Sequence, residues 1–354
     1  MISTDVNILV SGSEANNRMK DYGTIFDELH ILLLGSRLKD KIFGNVFIYP
    51  MSRREALFWH PKFLVNIVTA QDPFENGFIA YLLAKKIQIP LQLQIHTDFL
   101  SPYFARESLI NKIRIKIAEF LLPRAEKIRV VSERIKKSLI HGSRFIIHES
   151  KITVLPIFVD VEKIKNAPVV TNLHKKYPDH DFIILMASRL TREKNIQMAV
   201  EAMESIVERF PKTLLLIVGD GPEKSKIKSQ ISNLGLEKNI VIEAWTDDLT
   251  SYYKTADLFL LTSNYEGYGR TVVEAMAAGC PIAMTDVGLA GEFLKDNVSG
   301  LIVPVNSSRT LGEVIQRLVN NPALRSELKN NSLDALGSFY GKDVYLKMYK
   351  QSLS

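Results

Sequence analysis

The stretch that most constrains this chain runs from residue 257 to 285. Asp257-Leu258-Phe259-Leu260-Leu261 is a short apolar run of the length of a buried strand, and Pro281-Ile282-Ala283-Met284-Thr285 reads as the next strand. Between them lie a loop with two glycines, Gly267 and Gly269, and a helical pattern that ends at Gly279-Cys280-Pro281. Gly279 suits the left-handed position just past a helix, and Pro281 cannot continue one. Strand, glycine-rich loop, helix start, strand is a geometry that offers free backbone N–H groups and a partial positive charge to an anion. Glycine at 267 and 269 removes the side chains that would hold a ligand away.

Two carboxylates flank this anion site, Glu266 in the loop and Glu274 in the first turns of the helix. A phosphate pocket alone needs neither. A nucleotide sugar does, because carboxylates accept hydrogen bonds from the vicinal hydroxyls of ribose or hexose. Glu274 alone could equally serve the helix dipole. The two glutamates, the two glycines and the helix start together form a more specific pattern.

Glu266-Gly267-Tyr268-Gly269 followed by Glu274-Ala275-Met276-Ala277-Ala278-Gly279-Cys280-Pro281 resembles the E-x7-E signature of family 4 glycosyltransferases, retaining enzymes of the GT-B architecture. The resemblance covers most of the chain and is strongest over residues 182–304. It implies an α/β fold of two Rossmann-like, doubly wound parallel-sheet domains facing across a cleft. Residues 1–158 would bind the acceptor, and residues 159–337 the nucleotide sugar. A last helix within 338–354 would pack back on the first domain. In the family the first glutamate touches the donor sugar and the second holds the ribose. Amides at the helix start hold the diphosphate, which assigns Gly267, Tyr268, Gly269, Arg270, Thr271 and Val272 to the donor.

The rest of the chain alternates short apolar runs with helical patterns and has no sequence repeat, as a doubly wound parallel sheet requires. Residues 28–34, 46–50, 64–69 and 91–96 read as strands of the first half, with the last alternating enough to be half-buried or near an edge. Residues 14–26 and 104–122 read as helices, the second burying Leu109, Ile113, Ile117, Phe120 and Leu121 on one face. In the second half, residues 182–187, 214–218, 240–242 and 300–304 read as strands.

The loop after residue 187 carries Arg189 and Lys194, five apart. An Arg forks onto two pyrophosphate oxygens and a Lys supplies a point charge; the pair matches the family's R-x4-K, while Arg192 falls off the motif. Gly219-Asp220-Gly221 ends the next strand and is by itself often only a turn. The resemblance puts Gly219 in the nucleotide pocket and Trp245 near the base. Asp247-Asp248 reads as a helix cap rather than a metal site, and no metal is expected. In the first half, His96 stands at the tip of a strand, where ligands of open α/β sheets collect. The family has a histidine there, beside the donor sugar. Asp98 could orient it or bind acceptor, and Gly12 and Arg18 are further acceptor-side candidates.

Apolar residues make up 46% of the 354 and mean hydropathy is near zero, as in a globular protein without an apolar run long enough to span a bilayer. Residues 1–10 lack the basic start and apolar core of a signal peptide. The single Cys280 forms no internal disulfide and fits a reducing, cytoplasmic compartment. Net charge is +6, and residues 102–144 alone hold eleven Lys and Arg against four Glu, which leaves the remainder nearly neutral. That stretch is either a solvated helical face or a patch for an anionic membrane surface or acidic acceptor. No recognition motif supports nucleic acid. The expected protein is therefore a retaining glycosyltransferase using a nucleoside-diphosphate sugar as donor substrate and no cofactor. It would act on a glycan or lipid-linked acceptor in the cytoplasm, or peripherally on the inner face of the cell membrane. The alternatives are an idle GT-B scaffold subunit and a sugar-nucleotide epimerase on the same fold.

Overall fold

The computed structural model describes residues 1–36, 38–142 and 146–353. Arg144, the end of the basic stretch, and Ser354, the end of the expected last helix, lie outside the described residues. The chain divides into two compact units, Met1–Phe158 with Tyr340–Ser354, and Val159–Phe339.

In unit 1 the strands are β1 (Ile2–Ser3), β2 (Leu29–Leu34), β3 (Lys41–Phe43), β4 (Val46–Met51), β5 (Val68–Ala70), β6 (Leu91–Ile95), β7 (Lys127–Val130) and β8 (Ile152–Val154). They lie in the order β3-β4-β2-β1-β5-β6-β7-β8, and every pairing is parallel except that of β3 with β4. The helices are α1 (Glu14–Gly23), α2 (Arg53–Phe58), α3 (Glu75–Ile87), α4 (Pro102–Glu107), α5 (Leu109–Leu121) and α6 (Glu133–His141). Helices α2, α3 and α5 pack side by side in one layer, with α3 against β1, β5 and β6.

Unit 2 begins with α7 (Val161–Asn166) and α8 (Leu173–Lys176). Its sheet holds β9 (Phe182–Ala187), β10 (Thr213–Val218), β11 (Ile240–Glu243), β12 (Leu258–Leu261), β13 (Ile282–Thr285) and β14 (Leu301–Val303). The order β11-β10-β9-β12-β13-β14 is wholly parallel. The crossovers run through α9 (Ile196–Arg209), α10 (Lys224–Asn233), α11 (Leu249–Thr255) and α12 (Arg270–Ala277), and α13 (Ser308–Asn320) and α14 (Pro322–Ala335) follow the last strand. Strands β9, β10, β12 and β13 are buried along their whole length, which is why they read as unbroken apolar runs. The chain order reverses between β9 and β12, so the loops leaving their carboxyl ends flank a topological switch point.

The last helix, α15 (Lys342–Gln351), returns to unit 1. Its Tyr349 stacks on Tyr22 with ring centres 4.0 Å apart. The docking surface is polar. Gln92 Nε2 donates to the Ser352 carbonyl at 2.6 Å, and Gln94 Nε2 donates to the Tyr349 hydroxyl at 3.1 Å. Strand β6 is therefore not half-buried or at an edge: all five residues are buried between β5 and β7. The alternation that pointed to an edge is two glutamines facing α15.

Other expectations also change. The helix predicted over 14–26 stops at Gly23, where the Asn45 amide donates to the carbonyls of Gly23 and Phe26. The strand predicted over 64–69 shrinks to β5, with Leu64 almost fully exposed. The helix predicted over 104–122 is broken at Ser108. That residue is extended and its hydroxyl caps α5 by accepting the Asn111 N–H at 3.1 Å. The buried side of α5 is Asn111, Ala118 and Leu121; Leu109 is exposed and Ile113 is 61% exposed, so neither belongs to the core. Strand β3 and helix α2 were not foreseen.

Candidate functional site

In unit 2 the loops after β9 and β12 are stitched together. The Asn264 N–H donates to the Glu193 carbonyl at 2.7 Å, the Thr262 hydroxyl to the Lys194 carbonyl at 2.9 Å, and the Asn195 amide to Asn264 Oδ1 at 3.1 Å. This brings Lys194 and Glu266 into direct contact, with Nζ 2.5 Å from Oε1, and the Ser263 hydroxyl donates to the same oxygen at 2.7 Å. The side chains are only 18% and 13% exposed. Arg189 behaves differently: it is 78% exposed, and its guanidinium lies 3.3 Å from the Glu193 carboxylate. Arg192 is a surface residue near Glu223. The hydroxyls of Ser188 and Thr191, on either side of Arg189 in the chain, are buried with no hydrogen-bond partner among the described residues.

Gly219 has a structural reason of its own. At φ +153°, a Cβ there would lie 1.9 Å from the Ser188 carbonyl oxygen, and one at Gly221 would lie 2.4 Å from that of Leu190. The two glycines let the β10 tip lie flat under the loop that carries Arg189, and the Leu190 N–H donates to the Asp220 carbonyl at 2.9 Å.

Helix α12 starts at Gly269, whose φ of +97° favours glycine and which supplies no capping side chain. The Val272 N–H donates to the Gly269 carbonyl at 2.9 Å, so the helix opens on a tight turn at this glycine. Arg270 Nε lies 2.8 Å from Glu274 Oε1, and the Tyr253 hydroxyl donates to Glu274 Oε2 at 3.2 Å. Burial first, and then the Glu274 charge, push the Tyr253 hydroxyl well up, so it remains a donor. The side chains of Tyr268 and Val272 are buried in the core, and the Tyr268 carbonyl accepts the Leu289 N–H at 3.0 Å. Thr271 is half-buried, Gly267 is buried, and Trp245, after β11, is largely exposed. Asp248 takes the N-cap position of α11 as expected, but its carboxylate accepts the Ser251 hydroxyl at 2.5 Å and no helix amide.

Unit 1 gathers its own candidates. Gly12, at φ +82°, turns the chain into α1, whose N-cap is Ser13. Arg18 on α1 lies 3.6 Å from Asp5. His96 follows β6, with Nε2 3.3 Å from Gln94 Oε1, and that oxygen also accepts from Arg129 at 3.0 Å. The Gln94 amide nitrogen already donates to Thr69 and Tyr349, so its oxygen faces His96 and Nε2 is the protonated nitrogen. Burial, then the charges of Arg129 and Arg18, push the His96 imidazolium down from its ordinary value to about 3. His96 is neutral at physiological pH. The group that orients it is Gln94, not Asp98: the Asp98 carboxyl accepts the N–H groups of Leu100 and Ser101, and burial raises its pKa.

The sequence reading missed Gln94, Arg129, Ser263 and Tyr253. Only Gln94 carried a signal, as an amide repeated two residues after another inside a strand. Among the described residues no three His, Cys, Asp or Glu are placed to hold a metal ion. A cavity of about 570 Å³ lined by Tyr81, Lys85, Leu91 and Arg124 opens at the amino end of β6, and no candidate lines it.

Comparison with known proteins matches residues 171–334 to the family described as Glycosyl transferases group 1 and residues 8–163 to Glycosyltransferase Family 4. The alpha-monoglucosyldiacylglycerol synthase of Acholeplasma laidlawii is 24% identical over 81% of this chain and 74% of its own. The capsular polysaccharide biosynthesis glycosyltransferase CapM of Staphylococcus aureus is 26% identical over 84% and 81%. Among solved structures, Anabaena Alr3699/HepE in complex with UDP and glucose superposes with a TM-score of 0.78 at 19% identity, over 99% of this chain and 98% of that one.

Proposed function

Because this chain belongs to the GT-B glycosyltransferases of the family 4 type, we propose that it transfers a sugar, with retention, from a nucleoside-diphosphate sugar held in unit 2. The acceptor is a glycan or a lipid-linked molecule of glycolipid or cell-surface polysaccharide synthesis. The observation that carries this reading is the Lys194–Glu266 contact in the loop that leads into α12, whose N-cap position is a glycine. A cation and a carboxylate joined in one pair of stitched loops, at the entry to a helix N-terminus, suit a diphosphate bonded to a hydroxylated ring. The names of two relatives, a glycolipid synthase and a capsular polysaccharide transferase, support the acceptor class. The UDP and glucose complex of a fold neighbour supports the donor class.

In this reading Arg189, Lys194 and the α12 amides stabilise the negative charge that grows on the departing diphosphate. On binding, the diphosphate draws Lys194 from Glu266, which frees the carboxylate to grip the donor sugar, while Glu274 holds the ribose. His96, neutral and donating from Nε2 to Gln94, offers Nδ1 as an acceptor for a sugar hydroxyl. No side-chain nucleophile is required if the acceptor attacks from the face the diphosphate leaves. The protein works in the cytoplasm, peripherally on an anionic membrane surface reached through residues 102–144.

The test is a thermal-shift screen of UDP-, GDP- and ADP-sugars followed by donor turnover with and without glycan or lipid acceptors. A nucleoside diphosphate that binds the folded state raises Tm. If no nucleotide does so at millimolar concentration, the transferase reading fails. Binding without turnover would mark an idle subunit, and conversion of the donor without acceptor an epimerase.

A further inference from the structure

The helical layer α2, α3, α5 of unit 1 exposes large apolar side chains among the described residues. Phe58 at the end of α2 is 76% exposed, Phe78 and Leu82 on α3 are partly bare, and Leu109, Ile113 and Phe120 on α5 face outward. The three helices are neighbours: α3 contacts both others, the Phe120 ring meets Tyr81 of α3 edge-on at 5.7 Å, and the Lys86 ammonium reaches the Trp59 carbonyl just after α2. The apolar side chains therefore belong to one surface. Monomers seldom expose so many large apolar groups together without a use for them.

Cations are interleaved with them. Lys85 and Lys86 on α3, Lys112 and Lys116 on α5 and Arg124 beyond it are all exposed. The nearby carboxylates are already engaged: Glu75 with Arg114 at 3.0 Å, Glu119 with Lys116 at 2.6 Å, and Glu55 in the capping box of α2. The layer is positive as well as apolar.

We propose that this three-helix face is a membrane-docking surface, in which the apolar side chains enter the boundary between headgroups and acyl chains of an anionic leaflet and the cations pair with lipid phosphates. The reading deepens the peripheral docking given above and rests on it, but changes what holds the protein: insertion from three helices, where charge on one stretch alone was expected. Lysine among the exposed apolar groups argues against a protein partner, because lysine is depleted from protein interfaces. A second copy is disfavoured because two faces of the same sign would meet. Nucleic acid needs no row of aliphatic side chains. An interfacial surface needs both features found here, apolar side chains in the plane and lysines around them. Arg114, which pairs with Glu75 and lies 5.8 Å from the Phe74 ring, holds α5 to α3 and takes no part.

The test is co-sedimentation with vesicles of phosphatidylcholine alone or with phosphatidylglycerol, at low and high salt. Two variants are compared with wild type: Phe58→Asn with Leu109→Asn and Ile113→Asn, and Lys85→Gln with Lys112→Gln and Lys116→Gln. Both alter exposed side chains, and an unchanged melting temperature confirms their fold. Wild type is expected to bind only the anionic vesicles and to keep part of that binding at high salt. Each lysine near such a surface is worth about fivefold in affinity, and Lys116 is balanced by Glu119, so the charge variant should lose about 25-fold. The apolar variant should lose at least about tenfold and all salt-resistant binding. A depth readout is available because the chain has two tryptophans: in Trp245→Phe, brominated lipid should quench the remaining Trp59. If the apolar variant binds like wild type and Trp59 is not quenched, insertion is wrong and electrostatic docking stands. If wild type ignores anionic vesicles, both fail, while nucleotide thermal shift still reports on the transferase reading by itself. If the apolar variant instead turns a dimer into a monomer in gel filtration, the face belongs to a second copy and the proposal is overturned.

Discussion

Replacing Lys194 with Met should unsettle unit 2 as well as stop the reaction, whereas Arg189→Ala should stop the reaction alone. The difference follows from burial. Lys194 and Glu266 are 2.5 Å apart and mostly shielded from water. Removing one partner of a buried ion pair costs about 3–5 kcal/mol because the other charge is left unpaired. Partial solvent access and the Ser263 hydroxyl on Glu266 reduce this to about 2–3 kcal/mol. In a unit of this size each kcal/mol moves Tm by about 2–4 °C, so Lys194→Met should melt about 4–12 °C lower. Glu266→Gln should fall by a similar amount. The double variant leaves no buried charge and should melt no lower than either single variant, a coupling of about 2–3 kcal/mol. Arg189, an exposed residue in a surface ion pair, contributes at most about 1 kcal/mol to stability, yet its loss at the diphosphate should lower turnover by about 10²–10³. Calorimetry of the four proteins and donor turnover of the single variants decide the matter. If the Lys194 and Glu266 effects add to within about 0.5 kcal/mol, the pair is not a coupled unit. If Arg189→Ala turns over within a few-fold of wild type, the diphosphate assignment is wrong.

Glu266→Ala should hurt sugar transfer more than nucleotide binding and Glu274→Ala the reverse, since Glu274 is braced by Arg270 and Tyr253 inside unit 2. Titration with free nucleoside diphosphate would reverse these roles if Glu266→Ala loses the more affinity. His96 should contribute a pH dependence of stability. Its folded pKa of about 3 lies below the unfolded value, so its contribution is full above about 6.5 and drains away as pH falls towards 3, by at most about 1.4 kcal/mol per pH unit. Urea unfolding between pH 4 and 7 should show a shallower slope in His96→Gln, and an identical slope would mean that His96 is charged in the folded state. Tyr345→Phe removes the hydroxyl that accepts from Arg129 at 2.9 Å and should cost unit 1 about 1–3 kcal/mol in calorimetry, whereas no change would show that Arg129 is satisfied without it.

What could be read from the sequence was mostly what a buried parallel sheet dictates. Strands β9, β10, β12 and β13 are apolar on both faces and announce themselves, as does the glycine-bounded α12. Where burial is polar, the reading failed. Gln92 and Gln94 looked solvent-facing because nothing in β6 itself reveals the helix, some 250 residues later, that takes up their amides. The break at Ser108 was hidden inside a good helical pattern, and the apolar residues of α5 were assigned to a core that Asn111 and Ala118 in fact face. Among the candidates, the motif spacing singled out Arg189, Lys194, Glu266 and Glu274, but not that Lys194 and Glu266 touch, because that contact depends on β9 and β12 being neighbours in the sheet.

The returning helix has a consequence for how the protein is made. Arg129, buried and without a carboxylate among its partners, donates to the Leu155 and Pro156 carbonyls and to the Tyr345 hydroxyl. Gln92 and Gln94 likewise depend on Ser352 and Tyr349. On a ribosome that releases the chain from its amino end, the first unit to emerge is thus the last to be completed. Its central strands carry unsatisfied amides and an uncovered guanidinium until α15 has left the exit tunnel. Unit 2, continuous in sequence, can close while synthesis is still running. A stop codon at position 340 would spare every candidate residue of both units and still leave half the protein waiting for its lid.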